Sequence, residues 1–232
     1  MAAFSCVRLR IYLFKFTDSG EFVKNSFVRD LLQGWREFQS RTWLVLLVSL
    51  FSIFHLFIWA PLNTLGPIIL EHNEAGLQSW TYYLTSLGVG SILAGIVAFK
   101  IKMTKVLTLI TVLFIPTILP LVALLLPHSV WLLAISGFVA GLAMGVSDIL
   151  WNTSLQSKLP ERSLSKVSSF DYFASMVFLP LGYAMVAPAT KLMNEQSYLV
   201  LCIFVMVFAT VAIIPLILKI ERIDSNESTN LC

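Results

Sequence analysis

Residues 43–70 read WLVLLVSLFSIFHLFIWAPLNTLGPIIL, a run without a single charge. A bilayer core about 30 Å thick is crossed by roughly 20 apolar residues of helix, and this run exceeds that length. Five more apolar stretches follow at 80–99, 106–126, 130–156, 170–188 and 198–218, each meeting or approaching it. The pattern predicts an all-α fold, a six-helix transmembrane bundle over 43–218. Composition agrees, because 57% of the residues are apolar and only 12% charged, against about 25% charged in a soluble domain.

The lysines and arginines divide between the segments that flank these stretches. Arg8, Arg10, Lys15, Lys24, Arg29, Arg36 and Arg41 precede the first; Lys100, Lys102 and Lys105 lie between the second and third; Lys158, Arg162 and Lys166 between the fourth and fifth; Lys219 and Arg222 after the sixth. The alternate segments hold Lys191 alone. The positive-inside rule then puts both termini in the cytoplasm. Losing or adding one span would scramble this fifteen-to-one division, so it checks the span count as well.

The formal charge of +3 sits beside the membrane and is no signature of nucleic-acid binding. Cys6 and Cys232 fall on the reducing side and Cys202 inside a span, which argues against a disulfide framework. No metal-type spacing of Cys and His appears. Residues 1–27 read as an undetermined cytoplasmic leader whose apolar start is interrupted by Arg8, Arg10 and Lys15, unlike a signal peptide. In 28–42, Val28, Leu31, Leu32, Trp35 and Phe38 recur at helical spacing with polar residues opposite, predicting an amphipathic helix on the cytoplasmic membrane surface. Residues 219–232 read as a polar cytoplasmic tail, with disorder expected over 224–230.

Pro61 and Pro67 in the first helix should kink or unwind it. The second helix packs small residues, and Ser91 and Gly95 stand at a spacing that lets helices approach closely; Gly88 belongs to the same set. Gly137, Gly141 and Gly145 form a groove down the fourth helix. The first three helices have the opposite topology to the last three, which is compatible with an inverted three-plus-three repeat.

Three further stretches carry a resemblance. The second helix and its loop read GVGSILAG (88–95) and then FKIK (99–102). The fourth helix ends DILWNTSLQ (148–156), followed by LPER (159–162) and KVSSFD (166–171). The segment before the first helix reads DLLQGWR (30–36). Over about 28–218 the chain resembles the C-terminal half of a major facilitator superfamily transporter, in the branch of drug and macrolide efflux-like exporters. It lacks the acidic residue that the superfamily's loop motif places between the Gly-rich helix and the basic loop. The resemblance implies secondary efflux of a small amphipathic compound by alternating access in a bacterial inner membrane. It implies no cofactor, and as partners the lipid bilayer, a small-molecule substrate and either a missing N-terminal half or a second copy. The alternative is a non-transporting remnant or an accessory multi-pass membrane protein.

The same resemblance implies that the first and fourth helices line the cavity. His55, about 18 Å into the first helix, becomes a candidate for substrate binding or proton carriage, the alternative being a histidine bonded to a backbone carbonyl near Pro61. Asn63 joins it, unless it satisfies carbonyls freed by Pro67. Trp151, Asn152 and Gln156 follow on the fourth helix, with an interfacial anchor as the plainer role for Trp151. Asp148 lies near the cytoplasmic mouth and is expected to pair with Lys100, Lys102, Lys158 or Arg162 as a gate. Asp171 is a further gate candidate, unless it complements the positive end of the fifth helix. A catalytic constellation is not apparent: His55 and Ser91 lack a nucleophile-elbow pattern, and no second carboxylate lies deep in a span. No phosphate-binding loop occurs. An enzyme is not expected.

Overall fold

A computed structural model describes residues 35–71, 76–101, 104–126 and 129–229. The leader 1–27, most of the expected surface helix, and Lys102 lie outside the described residues; 35–39 are helical, as expected for the end of that surface element. Six helices long and apolar enough to cross a membrane follow. They are α1 (Thr42–Glu71), α2 (Gly76–Ala98), α3 (Val106–Leu125), α4 (Val130–Lys158), α5 (Glu161–Leu192) and α6 (Glu195–Thr229). In hydrocarbon every backbone amide must be paired within its own element, and six helices meet that demand.

The spans agree with the apolar stretches in number and order, but two helices run well past them. α5 begins at Glu161, directly after Pro160 in extended conformation, not at 170. The first turns, ERSLSKVSS, are too polar to register as a span, yet Pro160 sets the entry and the helix projects beyond the apolar zone. α6 continues through residues 224–229, where disorder was expected. Its start is fixed by Asn194, whose Oδ1 accepts the Ser197 N–H at 2.7 Å as an N-cap.

α1 neither breaks nor unwinds at its prolines. His55–Trp59 forms a single π-helical turn, and α-helix resumes at Ala60. Pro61 has no N–H to give and its ring crowds the carbonyl four residues back; a wider turn just before it relieves both. In α3, Pro116 is met by a 3₁₀ turn over Pro116–Ile118, where Thr117 Oγ1 donates to the Phe114 carbonyl at 2.6 Å.

Between helices in lipid there is no hydrophobic driving force, so close packing and hydrogen bonds hold the bundle. The principal neighbours are α2 with α4, α1 with α5, α3 with α4, α1 with α6 and α3 with α6; α1 also meets α2 and α3, and α4 meets α5. Exchanging α1 with α4, α2 with α5 and α3 with α6 returns all of these except the α1–α3 contact, so the packing follows an inverted three-plus-three arrangement only in part.

The α2–α4 seam is the tightest. Gly90 lies against the backbone of Phe138 and Leu142, Gly141 against the Leu87 carbonyl, and Gly137 against the Tyr83 ring; Gly145 faces Ala94 and Ser91. Ser91 Oγ reaches the Gly141 carbonyl at 3.2 Å. Of the residues expected to pack, Gly137, Gly141, Gly145 and Ser91 do so. Gly88 and Gly95 do not, since a side chain at either would meet open space. The buried small pair on α2 is Gly90 and Ala94 instead. On the other side of the bundle Gly182 of α5 sits on Leu56 and Ala60 of α1, and Ser52 Oγ donates to the Ala174 carbonyl at 3.2 Å. Outward-facing apolar side chains such as Ile92 (77% exposed), Trp131 (77%) and Phe208 (66%) cover the exterior.

Contacts between distant residues establish which helix ends share a face. The Trp35 ring lies 6.0 Å from that of Phe170 on α5, tilted by 42°, Lys158 at the end of α4 lies 6.0 Å over the Trp43 ring at the start of α1, and Glu221 of α6 reaches the start of α3. There its Oε1 accepts the N–H of Leu107 at 2.8 Å and its Oε2 the Thr108 hydroxyl at 2.5 Å. α3 has no side-chain cap from Lys105, its own N-cap residue, so a carboxylate from another helix satisfies its free amides.

The basic segments thus share one end of the bundle. If that end is cytoplasmic, cysteines introduced at Gln78, Ser129 and Gln196, all exposed, should react with an impermeant thiol reagent in intact cells, in a version whose native cysteines have been replaced. Cysteines at Thr104 and Glu161, exposed at the opposite end, should react only after lysis. The reverse pattern would overturn the orientation.

Candidate functional site

At the end of the bundle that carries the basic segments, α1, α4 and α5 build an aromatic and carboxylate cluster. Trp151 is its centre. Its ring meets Trp43 edge-on at 5.8 Å and Phe51 at 4.9 Å between centroids. Its indole Nε1–H donates to Asp171 Oδ2 at 2.8 Å. Only 5% of Trp151 is exposed, so it is not the interfacial anchor of the plainer expectation. An amphipathic ring buried with its one donor satisfied fits a packed hinge between helices far better than a headgroup contact.

Asp171 also departs from expectation. Because α5 starts at Glu161, the carboxylate lies nearly three turns into the helix and cannot complement its N-terminal dipole, which acts only on the first turn. It turns toward α4 instead. Asp171 Oδ1 is buried without a hydrogen-bond partner. The hydroxyl of Ser175, one turn on, interacts with the same carboxyl.

Asp148, three residues before Trp151 on α4, is exposed. Asn152 Nδ2 donates to its carbonyl at 2.9 Å and its Oδ1 at 3.2 Å. Arg41 pairs with Glu37 at 3.3 Å, and two of the four cations expected to meet Asp148 have described side chains. Lys158 lies over Trp43, Lys100 is exposed after α2, and Lys102 and the Arg162 side chain fall outside the described residues. Gln156 is exposed.

His55 opens the π-helical turn of α1. Its Nδ1 lies 2.8 Å from the Phe51 carbonyl. With Nδ1–H as the donor, Nε2 keeps an open lone pair. Its bonded carbonyl is one turn back, not beside Pro61. Asn63 donates to the Trp59 carbonyl at 2.8 Å, at the end of the π-helical turn, and not to a carbonyl released by Pro67. Eight residues, about 12 Å of helix, separate it from His55, so the two do not form one site. His55 is instead linked to the α4–α5 cluster, because Phe51 both accepts its hydrogen bond and packs on Trp151.

The structure therefore gathers Trp151 and Asp171, keeps Asp148 with Asn152 on a neighbouring face, and leaves Asn63 and Gln156 apart. Sequence reasoning passed over Ser175 and Ser147. The available signal was their spacing, one helical turn from Asp171 and from Trp151. Phe51 and Trp43 carried no such mark, being two apolar residues among many.

A family model described as Major Facilitator Superfamily matches residues 2–183, which takes in α1–α4 and most of α5. No curated protein and no solved structure matches the chain.

Proposed function

The chain belongs to the Major Facilitator Superfamily, and from that premise we propose that it carries out secondary efflux of a small amphipathic compound, as one six-helix bundle that rocks against a second. A transport role in a multi-pass membrane protein follows from the family and the six spans. Efflux, the amphipathic substrate and alternating access are the finer reading. The observation that carries it is the family match over helices long and apolar enough to span a membrane. The substrate path runs along α1 and α4, with His55, Asn63, Asn152 and Gln156 as its polar contacts and the π-helical turn as the place where α1 deforms. The second bundle is an N-terminal half or a second copy, and the basic end faces the cytoplasm of a bacterial inner membrane.

In this reading Asp148 belongs to the cytoplasmic gate. It is exposed at the basic end, free to engage a cation of the opposing bundle or of the loops when that end closes. Exposed charge pairs contribute only about 0.2–1 kcal/mol, so Asp148→Asn should slow efflux of an amphipathic fluorescent dye about 1.4- to fivefold while membrane insertion stays normal. Unchanged efflux and unchanged cytoplasmic accessibility would remove Asp148 from the gate. No dye efflux from cells producing the wild-type chain with its partner bundle would overturn the function itself.

A further inference from the structure

Two kinds of contact hold the six helices, and they divide the bundle into two units. α4 packs on α2 and α3, and α1 packs on α5 and α6. Inside each unit main chains approach closely. Gly90 and Gly141 bring α2 and α4 backbone to backbone. Gly182 of α5 sits on Leu56 and Ala60 of α1, and Ser52 donates to the Ala174 carbonyl at 3.2 Å. Helices in lipid are held by such close packing, and helices packed this way move as one body.

Between the units the ties differ at the two ends. Far from the basic end, Gly66 of α1 lies against the Trp80 ring of α2. Nearer the basic end rings cross the boundary, Phe51 of α1 meeting Trp151 of α4 and Phe114 of α3. Apolar contacts are non-directional and tolerate sliding. At the basic end itself two carboxylates cross over. Asp171 of α5 accepts the Trp151 indole N–H at 2.8 Å. Glu221 of α6 accepts the Leu107 N–H at 2.8 Å and the Thr108 hydroxyl at 2.5 Å, both at the start of α3. Both carboxylates stand on the α1–α5–α6 unit, and their cross-boundary donors stand on the α2–α3–α4 unit.

Hydrogen bonds to a carboxylate are directional and strong, so these two fix the spacing of the units at that end. Asp148 opposes one of them. It stands on α4, three residues from Trp151, and its charge acts on that of Asp171 across the boundary. Like charges resist the approach. A cation meeting Asp148 removes that resistance, so closing the gate and holding the Asp171 contact favour each other. We propose that the Asp171–Trp151 and Glu221–α3 contacts are two latches on the basic end of the bundle. Their release lets the α1–α5–α6 unit swing away from the α2–α3–α4 unit about the Gly66–Trp80 contact.

This motion lies inside one bundle. It deepens the cytoplasmic gate of the proposed function and rests on that reading only for what the opening serves. It is measured without substrate, so its failure and that of the efflux reading are distinguishable. Spin labels in the full chain in lipid nanodiscs report it, in a version whose native cysteines have been replaced. Phe99, just after α2, and Ser165, early in α5, are exposed on opposite sides of the boundary; Phe99 and Ser157, at the end of α4, are exposed within one unit. The wild-type chain should show a dominant short Phe99–Ser165 distance. Trp151→Phe keeps a ring and loses only the N–H, and it should raise the fraction at longer distance about tenfold, the loss of one hydrogen bond to a charged group. Glu221→Ala should do the same, and Asp148→Asn added to it should lower that fraction again. The Phe99–Ser157 distance should stay constant throughout. Should Glu221→Ala fail to fold, Trp151→Phe decides. A Phe99–Ser165 distance that Trp151→Phe leaves unchanged overturns the proposal. Lengthening of both pairs together overturns it equally, because the units would then not be rigid.

Discussion

Gly141→Leu should eliminate the folded bundle. A side chain at 141 would be driven into the Leu87 backbone carbonyl, which cannot move aside as the tip of a flexible side chain can. Overpacking within one well-filled site costs on the order of 1–3 kcal/mol, and here the obstacle is main chain, so α2 and α4 must separate along their length. The Ser91–Gly141 hydrogen bond is lost with the approach. In lipid no hydrophobic term rescues the separated pair. The measurement is the fraction of detergent-extracted protein that elutes as a single species, with its thermal midpoint. Gly88→Leu is the control, since nothing lies within 4 Å of the added carbon, and it should leave both readings unchanged. A folded Gly141→Leu protein, or equal damage from both substitutions, would show that the seam is not where the bundle is held.

Reconstituted alone as a monomer, the chain should show no substrate efflux at all. Alternating access needs two bundles that move against each other around a shared cavity, and the polar groups assigned to the path lie on the α1 and α4 of one bundle. Adding a partner bundle, or conditions in which crosslinking reports a dimer, should raise efflux from background. The decisive assay is dye efflux from proteoliposomes, with oligomeric state followed in the same sample. Robust efflux from a demonstrated monomer would mean that six helices suffice, and the proposed rocking mechanism would fail.

Span number, order and the gathering of basic segments at one end were legible because length, apolarity and charge are local properties. Helix ends were less so: 161–169 is helical but polar, and an apolarity window cannot distinguish a helix leaving the membrane from a loop. Register on α2 was misplaced for a different reason. A helix that is apolar all round has no polar stripe to say which face is inside, so Gly88 and Gly95 looked like part of the seam although Gly90 and Ala94 form it with Ser91. On α4 the three glycines at successive turns left only one face to choose, and Gly137, Gly141 and Gly145 all meet α2. Asp171 was misjudged because its helix was started nine residues late, and its bond to Trp151 joins residues on two helices. Such pairings follow from how helices rotate about their own axes, and no single-sequence period records that.

The carboxylate of Glu221 that closes the start of α3 lies 114 residues further along the chain than Leu107. A ribosome therefore delivers α3 to the membrane long before the residue that completes it. Until the last span emerges, the first amides of α3 must be solvated by water or headgroups, and that helix stays loose at one end. The protein's middle is finished by its final stretch. A chain interrupted between 212 and 220 would carry most of its sixth apolar segment and still leave an earlier one undone.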